Sequence, residues 1–242
     1  MVSTTDHRRP VPDLTWRKGF ARPIAGEDDA AAFIGAMGVC TWAPLPRLPF
    51  PNLAEAMGEN ALSVMDRTWF WKDDLHLARR VYYGKIVAGR PSFIAPEYVS
   101  SFVAALGGLG REAERDPDRL YFEGRLSREA HAIYAYLRDH PAVPTRELRR
   151  GARLHEQRLA AATERALVDL QRRFLVCKAG LTGRTRGTYS YVWDLAERFW
   201  PDAFDEARRT TAAAARTHVR AQLRALGLDL TPAQETKLFL WR

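Results

Sequence analysis

The chain has 242 residues, 46% of them hydrophobic, and a formal net charge of +8. That is enough apolar material for a full core in one large domain or two small ones, with an excess of cations that favours polyanionic partners. No apolar run of about 18 residues exists, so a membrane partner is not expected. Cys40 and Cys177 lie far apart and the histidines are scattered, so the cysteines read as buried thiols and no metal or cofactor is expected.

Residues 1–26 are polar and interrupted by proline, and read as a flexible arm. Arg8 and Arg9 precede no apolar stretch, so the arm is neither a signal peptide nor an anchor, and a cytoplasmic location is expected. Residues 27–110 read as an N-terminal helical subdomain. Its first helix begins near Glu27 to Asp29, carries the stripe Ala32, Phe33, Ala36 and Met37, and ends at Gly38. Pro44, Pro46, Pro49 and Pro51 then predict a rigid, extended connection that breaks any sheet ladder.

Trp69, Phe70, Trp71, Lys72, Asp73 and Asp74 lead into a stretch that reads as helical through Leu75, Leu77, Val81, Tyr82 and Ile86, bounded by Gly89 and Pro91. Aromatic rings interleaved with Lys72, Arg79, Arg80 and Lys85 suit base stacking, but burial in a core is the stronger reading of such rings. A helix from about Ala95 to Leu106 ends at Gly107. The run Gly107-Gly108-Leu109-Gly110 lacks the lysine and the strand-to-helix setting of a phosphate loop, and residues 111–125 read as a charged linker.

Residues 126–200 have the order of a winged helix-turn-helix. Ser127 caps a helix with Ala130, Ile133, Tyr134 and Leu137 on one face; Pro144 and Thr145 start a second; a turn near Leu154 to Glu156 leads to a third, striped by Leu159, Ala162, Ala166, Leu167, Leu170 and Phe174. The period then changes from helical to alternating, predicting strands at Leu175 to Ala179 and Thr188 to Trp193 around a loop at Gly180 to Gly187, the wing. The same stretch concentrates arginine. Arg146, Arg149 and Arg150 are expected to pair with phosphates, Gln157 and Arg158 to open the recognition helix, and Arg184 and Arg186 to reach a minor groove or backbone, with Arg165 and Lys178 completing the basic set. The seven-residue spacing of Arg158, Arg165 and Arg172 places them on a shared face.

Residues 201–242 read as a helical extension resembling a truncated second helix-turn-helix: a long helix from about Asp205 through Ala212, Ala215, Val219, Leu223 and Leu226, then a start signal at Thr231, Pro232 and Gln234, with Arg242 closing the sequence before a third helix. The fold class expected is therefore mainly α with a small β wing, helix-turn-helix units packed on an N-terminal helical and irregular subdomain.

The order of a helix, Gly38-Val39-Cys40-Thr41-Trp42-Ala43-Pro44, an aromatic and basic segment, and a winged helix ending in Tyr189-Ser190-Tyr191-Val192-Trp193-Asp194-Leu195 resembles the AlkZ-like, or YcaQ-type, winged-helix DNA glycosylases, and most of all the shorter AlkZ-related proteins. The resemblance runs from about Asp28 to the end of the chain. It implies tandem winged-helix units acting without a metal on alkylated or crosslinked DNA, through a Gln-x-Gln or Gln-x-Asp motif followed by proline. At the matching place stand Thr41, Trp42 and Ala43. Hydrolysis of an N-glycosidic bond builds cationic character on the sugar, which an acceptor or anion must stabilise. Thr41 keeps a hydroxyl and Ala43 offers nothing, so the resemblance implies a retained DNA-binding frame with the usual catalytic pair replaced. Asp73 and Asp74 are the substitute carboxylates to consider, though the plainer reading makes them charges that complement a helix start. Double-stranded DNA is the partner expected, bound by a monomer. Three alternatives stand beside this reading: an active glycosylase using other residues, a transcriptional regulator that dimerises through the Ala212 to Leu226 helix, and a unit that contacts protein only.

Overall fold

Three acids, Glu27, Asp28 and Asp29, open the first helix, α1 (Glu27–Met37), where they face the positive end of its dipole. Ala30, Phe33, Ile34 and Met37 form its buried stripe. Gly38 ends it with φ 71°, and a Cβ there would come within 3.0 Å of both Gln222 and the Tyr98 ring, so both backbone and space require glycine. The structure, a computed structural model, describes Trp16, Phe20, residues 22–107 and residues 116–241. Most of the expected arm, residues 108–110 of the glycine run, residues 111–115 of the expected linker and Arg242 lie outside the described residues.

The chain continues through β1 (Val39–Thr41), two short helices α2 (Leu53–Ala56) and α3 (Ala61–Arg67), α4 (Trp71–Leu77), β2 (Tyr82–Lys85), a 3-10 turn at Val87–Gly89, β3 (Pro91–Ile94) and α5 (Pro96–Ala105). The three strands form one antiparallel sheet in the order β1-β3-β2, with Cys40 opposite Phe93 and Phe93 opposite Tyr83. Two expectations are corrected here. The segment after Gly38 does enter a ladder, because its prolines start only at Pro44, beyond the paired residues. The single helix expected from Leu75 to Ile86 stops at Leu77, Arg79 turns the chain with φ 56°, and Tyr82 to Lys85 pair as a strand. Of the expected loose arm, Trp16 and Ile24 are instead buried, and the Trp16 indole donates to the Pro49 carbonyl at 3.1 Å.

Beyond the undescribed stretch, Asp116 caps α6 (Pro117–Phe122) and Ser127 caps α7 (Arg128–Asp139) by accepting from the Ala130 amide. There follow β4 (Val143–Pro144), α8 (Thr145–Gly151), a 3-10 turn at Gln157–Leu159, α9 (Ala160–Arg172), β5 (Val176–Leu181) and β6 (Tyr191–Leu195). The second antiparallel sheet runs β4-β6-β5, with a bulge between Lys178 and Gly180. Residues from Leu120 to Trp193 alone build one hydrophobic cluster, centred on Ile133, Leu137, Leu148, Leu167 and Leu170.

The chain closes with α10 (Ala196–Phe199), α11 (Pro201–Arg208), α12 (Ala212–Ala225) and α13 (Pro232–Phe239). The long helix expected from Asp205 is two helices, because Thr211 leaves helical geometry and caps α12 by accepting from Ala214. The α13 start carries the expected capping box, Thr231 bonding the Gln234 amide and Gln234 bonding back. Helix α5 lies against α11 and α12, and Ala215, Val219 and Leu223 of α12 are buried in a cluster shared with Phe102, Phe174 and Phe239. The α12 face that a regulator would need for dimerisation is thus already covered within the chain. The protein is mainly helical with two small three-stranded sheets, and no described helix is long and apolar enough to cross a membrane.

Candidate nucleic-acid interface and the buried cluster behind it

Arg146 and Arg150 stand exposed on α8, Arg153 at its end with φ 58°, Arg165 on the outer face of α9, and Arg186 at the tip of the loop between β5 and β6. None of the five forms an ion pair with a described residue. A guanidinium with no acid partner holds its full charge for an external anion.

The other expected binding residues have internal tasks. Arg149 is half-buried and donates from Nε to the Leu154 carbonyl at 3.3 Å, tying the end of α8 to the following turn. Gln157 is exposed, but it and Arg158 lie on the 3-10 turn before α9, and Arg158 pairs with Glu156 at 2.6 Å. Arg172, the last of the seven-residue series, donates to the Lys237 and Leu238 carbonyls at 2.8 and 3.3 Å. The shared face expected for Arg158, Arg165 and Arg172 therefore does not exist, since the first precedes the helix and the third is taken up by α13.

Lys178 corrects the sequence reading most sharply. It is buried on β5 with Nζ 3.8 Å from the Tyr83 ring centroid and 4.3 Å from that of Tyr191, so it cannot reach a phosphate. Burial pushes its ammonium well below the ordinary lysine range. Arg184 is likewise occupied: Nη2 lies 2.7 and 2.5 Å from the two Asp74 carboxylate oxygens, and its guanidinium rests 4.7 Å from the Phe70 ring centroid. Arg184 thus holds the β5–β6 loop against α4 instead of projecting freely.

Behind that contact lies a polar cluster built by α4 and the hairpin together. Lys72 and Asp73 are 1% and 3% exposed, with Nζ 2.5 Å from Oδ2. The Tyr189 hydroxyl donates to Asp73 Oδ2 at 2.7 Å and accepts from Lys72 Nζ at 2.7 Å, and the Tyr191 hydroxyl lies 2.8 Å from it. Tyr83 and Tyr191 also share a hydrogen bond. Trp69 closes the outer side, half-exposed, with its ring centroid 4.4 Å from Lys72 Nζ and 5.5 Å from the Tyr189 ring. Burial is the first cause that lowers the Lys72 ammonium, opposed by the Asp73 carboxylate, and burial first raises the phenols of Tyr189, Tyr191 and Tyr83. The Lys72 and Asp73 side chains, both removed from water, are held there as each other's hydrogen-bond partner.

Trp42, between Thr41 and Ala43, faces this cluster, its ring 5.8 Å from Lys72 Nζ and its indole donating to Thr68 at 2.9 Å. Thr41 is fully buried on β1 and donates its hydroxyl to the Ala43 carbonyl at 2.7 Å, committing its proton to a turn; Ala43 is half-buried. Asp74 belongs to Arg184. Of the candidate acids only Asp73 sits inside the cluster, where nothing among the described residues bonds its second oxygen, Oδ1. Tyr189, Tyr191 and Tyr83 were not singled out from the sequence as site residues. Tyr189, just ahead of β6, and Tyr191, at its start, turn to one side, where their hydroxyls meet at 2.8 Å, but only the fold brings them to α4.

The elements thus define a mainly helical protein whose three-helix and hairpin unit exposes arginines with no ion-pair partner among the described residues and whose hairpin closes over a buried Lys-Asp-Tyr cluster. The AlkZ-related family matches residues 24–240, nearly the whole chain, and the protein belongs to that family. No curated protein and no solved structure matches it.

Proposed function

We propose that this protein binds double-stranded DNA and acts in the recognition or repair of damaged DNA, with residues 126–200 serving as a winged helix-turn-helix. Membership of the AlkZ-related family supports the link to DNA repair. The single observation that carries the binding role is the set Arg146, Arg150, Arg153, Arg165 and Arg186, all exposed and none ion-paired with a described residue. The helix order α7, α8, α9 followed by the β5–β6 hairpin supports the winged-helix reading. The C-terminal half of α9 packs on β2 and the 3-10 turn, with Gln171 accepting from the Lys85 amide at 3.1 Å and Val168 beside Gly89, which leaves its N-terminal half for DNA.

A titration of intact and 7-alkylguanine-containing duplexes tests this reading. Several phosphate contacts should lower affinity by orders of magnitude between about 50 and about 200 mM salt. Binding that is weak at low salt and indifferent to salt would leave only a protein-contact role.

The buried Asp73 supports a second reading, an active glycosylase. Its carboxylate lies 2.5 Å from Lys72 Nζ, which is itself 5.8 Å from the ring of Trp42 in the segment that resembles the family's motif, and a carboxylate in that cluster suits a developing sugar cation. Incubation with alkylated duplex followed by alkaline cleavage reads abasic sites directly. Release lost in Asp73→Asn but kept in Thr41→Val would support Asp73 as the group at work, while absence of release from the unaltered protein would leave recognition alone.

A further inference from the structure

The proline-rich segment after β1, the 3-10 turn at Val87–Gly89 and helix α13 enclose a groove of about 410 Å3, within the size range of ligand pockets. Its floor is apolar: Leu45 and Leu238 are buried there, and Leu48 and Ala88 are partly so. Its rim carries Arg47, Arg90 and Lys237, all exposed and none ion-paired with a described residue, and no acid is among its lining residues. The charge of the groove is therefore uniformly positive over a hydrophobic base.

Three features set the character of the walls. Arg47 and Ala88, one on each side, adopt left-handed backbone with φ 64° and 53°, a conformation unfavourable for residues with a Cβ. Across the groove, Arg172 caps the carbonyls of Lys237 and Leu238, offsetting the negative end of α13 that would otherwise oppose an anion. Gln234, also among the lining residues, spends its amide oxygen on the Thr231 amide, which leaves its NH2 as the remaining donor of that side chain.

We propose that this groove docks an acidic peptide segment of a partner protein, an apolar side chain resting on Leu45, Leu48 and Leu238 and carboxylates on Arg47, Arg90 and Lys237. Nucleic acid fits it less well. Unstacked bases seek aromatic faces, which the lining lacks, and a duplex backbone brings nothing apolar to the floor. The apolar base combined with a basic rim is the complement of a peptide that carries both characters. The inference does not depend on DNA binding, since none of the residues lining the groove belongs to the unit from α7 to β6.

The test uses the full chain and a fluorescein-labelled peptide of four aspartates followed by leucine, proline and phenylalanine, read by anisotropy. Binding on the order of micromolar is expected, lost when the aspartates become asparagines or the phenylalanine becomes serine. Arg47→Glu with Arg90→Glu should weaken it by about tenfold or more, and the gentler Arg47→Gln with Arg90→Gln should weaken it less but in the same direction. Arg150→Glu with Arg165→Glu, distant in sequence from the groove, should leave the peptide affinity within about twofold. Equal binding of the asparagine peptide, or equal losses from the two charge-reversed pairs, would overturn the proposal by reducing it to general attraction to a cationic protein. Displacement of the peptide by duplex, with loss of duplex binding in the Arg47 and Arg90 variants, would assign the groove to nucleic acid and overturn it as well.

Discussion

Replacing His76 tests how the two sheets are joined. Its ring is 1% exposed, with Nε2 2.7 Å from the Lys178 carbonyl on β5, and the Tyr83 amide on β2 donates to Nδ1 at 3.0 Å. Both nitrogens are therefore committed in the neutral ring, Nε2 as donor and Nδ1 as acceptor. A second proton on Nδ1 would face the Tyr83 N–H, with only the Val81 carbonyl, 3.4 Å away, to accept it. Burial is the main cause that holds the imidazole down at about 4 against an ordinary 6.5, with the Lys178 carbonyl acting in the opposite direction. Because the folded value lies below the unfolded one, the unfolded chain binds the extra proton between those limits. The stabilisation is complete above pH 6.5 and is lost as pH falls through 6.5 towards about 4. The gap is worth about 3 kcal/mol. Urea unfolding of the unaltered chain and of His76→Gln, at pH 7 and pH 4, isolates it from the background titration of carboxylates. Glutamine can keep one of the two hydrogen bonds but does not titrate. The variant should start less stable at pH 7 and lose about 3 kcal/mol less than the unaltered chain on acidification. Parallel losses in the two proteins would refute the proposed neutral bridge.

Asp73→Ala should destabilise the fold by about 3–5 kcal/mol at neutral pH, because it strands the Lys72 ammonium; adding Lys72→Met should recover part of this, and urea midpoints would report both. Arg184→Ala should release the loop between β5 and β6 from Asp74, seen as faster amide exchange at residues 182–190; unchanged exchange would mean that the ion pair holds nothing. Thr231→Ala removes one half of the α13 capping box and should cost about 1 kcal/mol, measured as a lowered thermal midpoint.

The helices that sequence patterns located well are those with a cap and one wet face. Ser127 with Ala130, Ile133 and Leu137, and Thr231 with Gln234, declare their starts and their buried stripes within a few residues. Strands β1, β2 and β3 were missed for a physical reason. They are short and buried on both faces, so Val39-Cys40-Thr41 and Tyr82-Tyr83-Gly84 show no alternation, and the apolar spacing around them mimics a helix. Arginine-rich composition singled out residues 126–200 but could not separate free charges from those with internal partners. Whether Arg184 meets Asp74, or Arg172 meets the end of α13, is decided by contacts 110 and 65 residues apart in sequence. Lys178 was misread because a lysine on an alternating strand looks solvent-facing until the partner sheet is in place. The Lys72-Asp73 pair was visible as adjacent charges, yet its tyrosine partners come from the far hairpin.

The most direct test of the DNA-binding account is the salt slope of duplex affinity in Arg150→Ala, Arg165→Ala, Arg186→Ala combined in one chain, with folding checked by thermal melting. These three guanidiniums are exposed and unpaired among the described residues, so their removal should leave the melt nearly unchanged. The account expects weaker binding to every sequence alike and a slope of log affinity against log salt shallower by about three. An unaltered slope in a folded triple variant would contradict it.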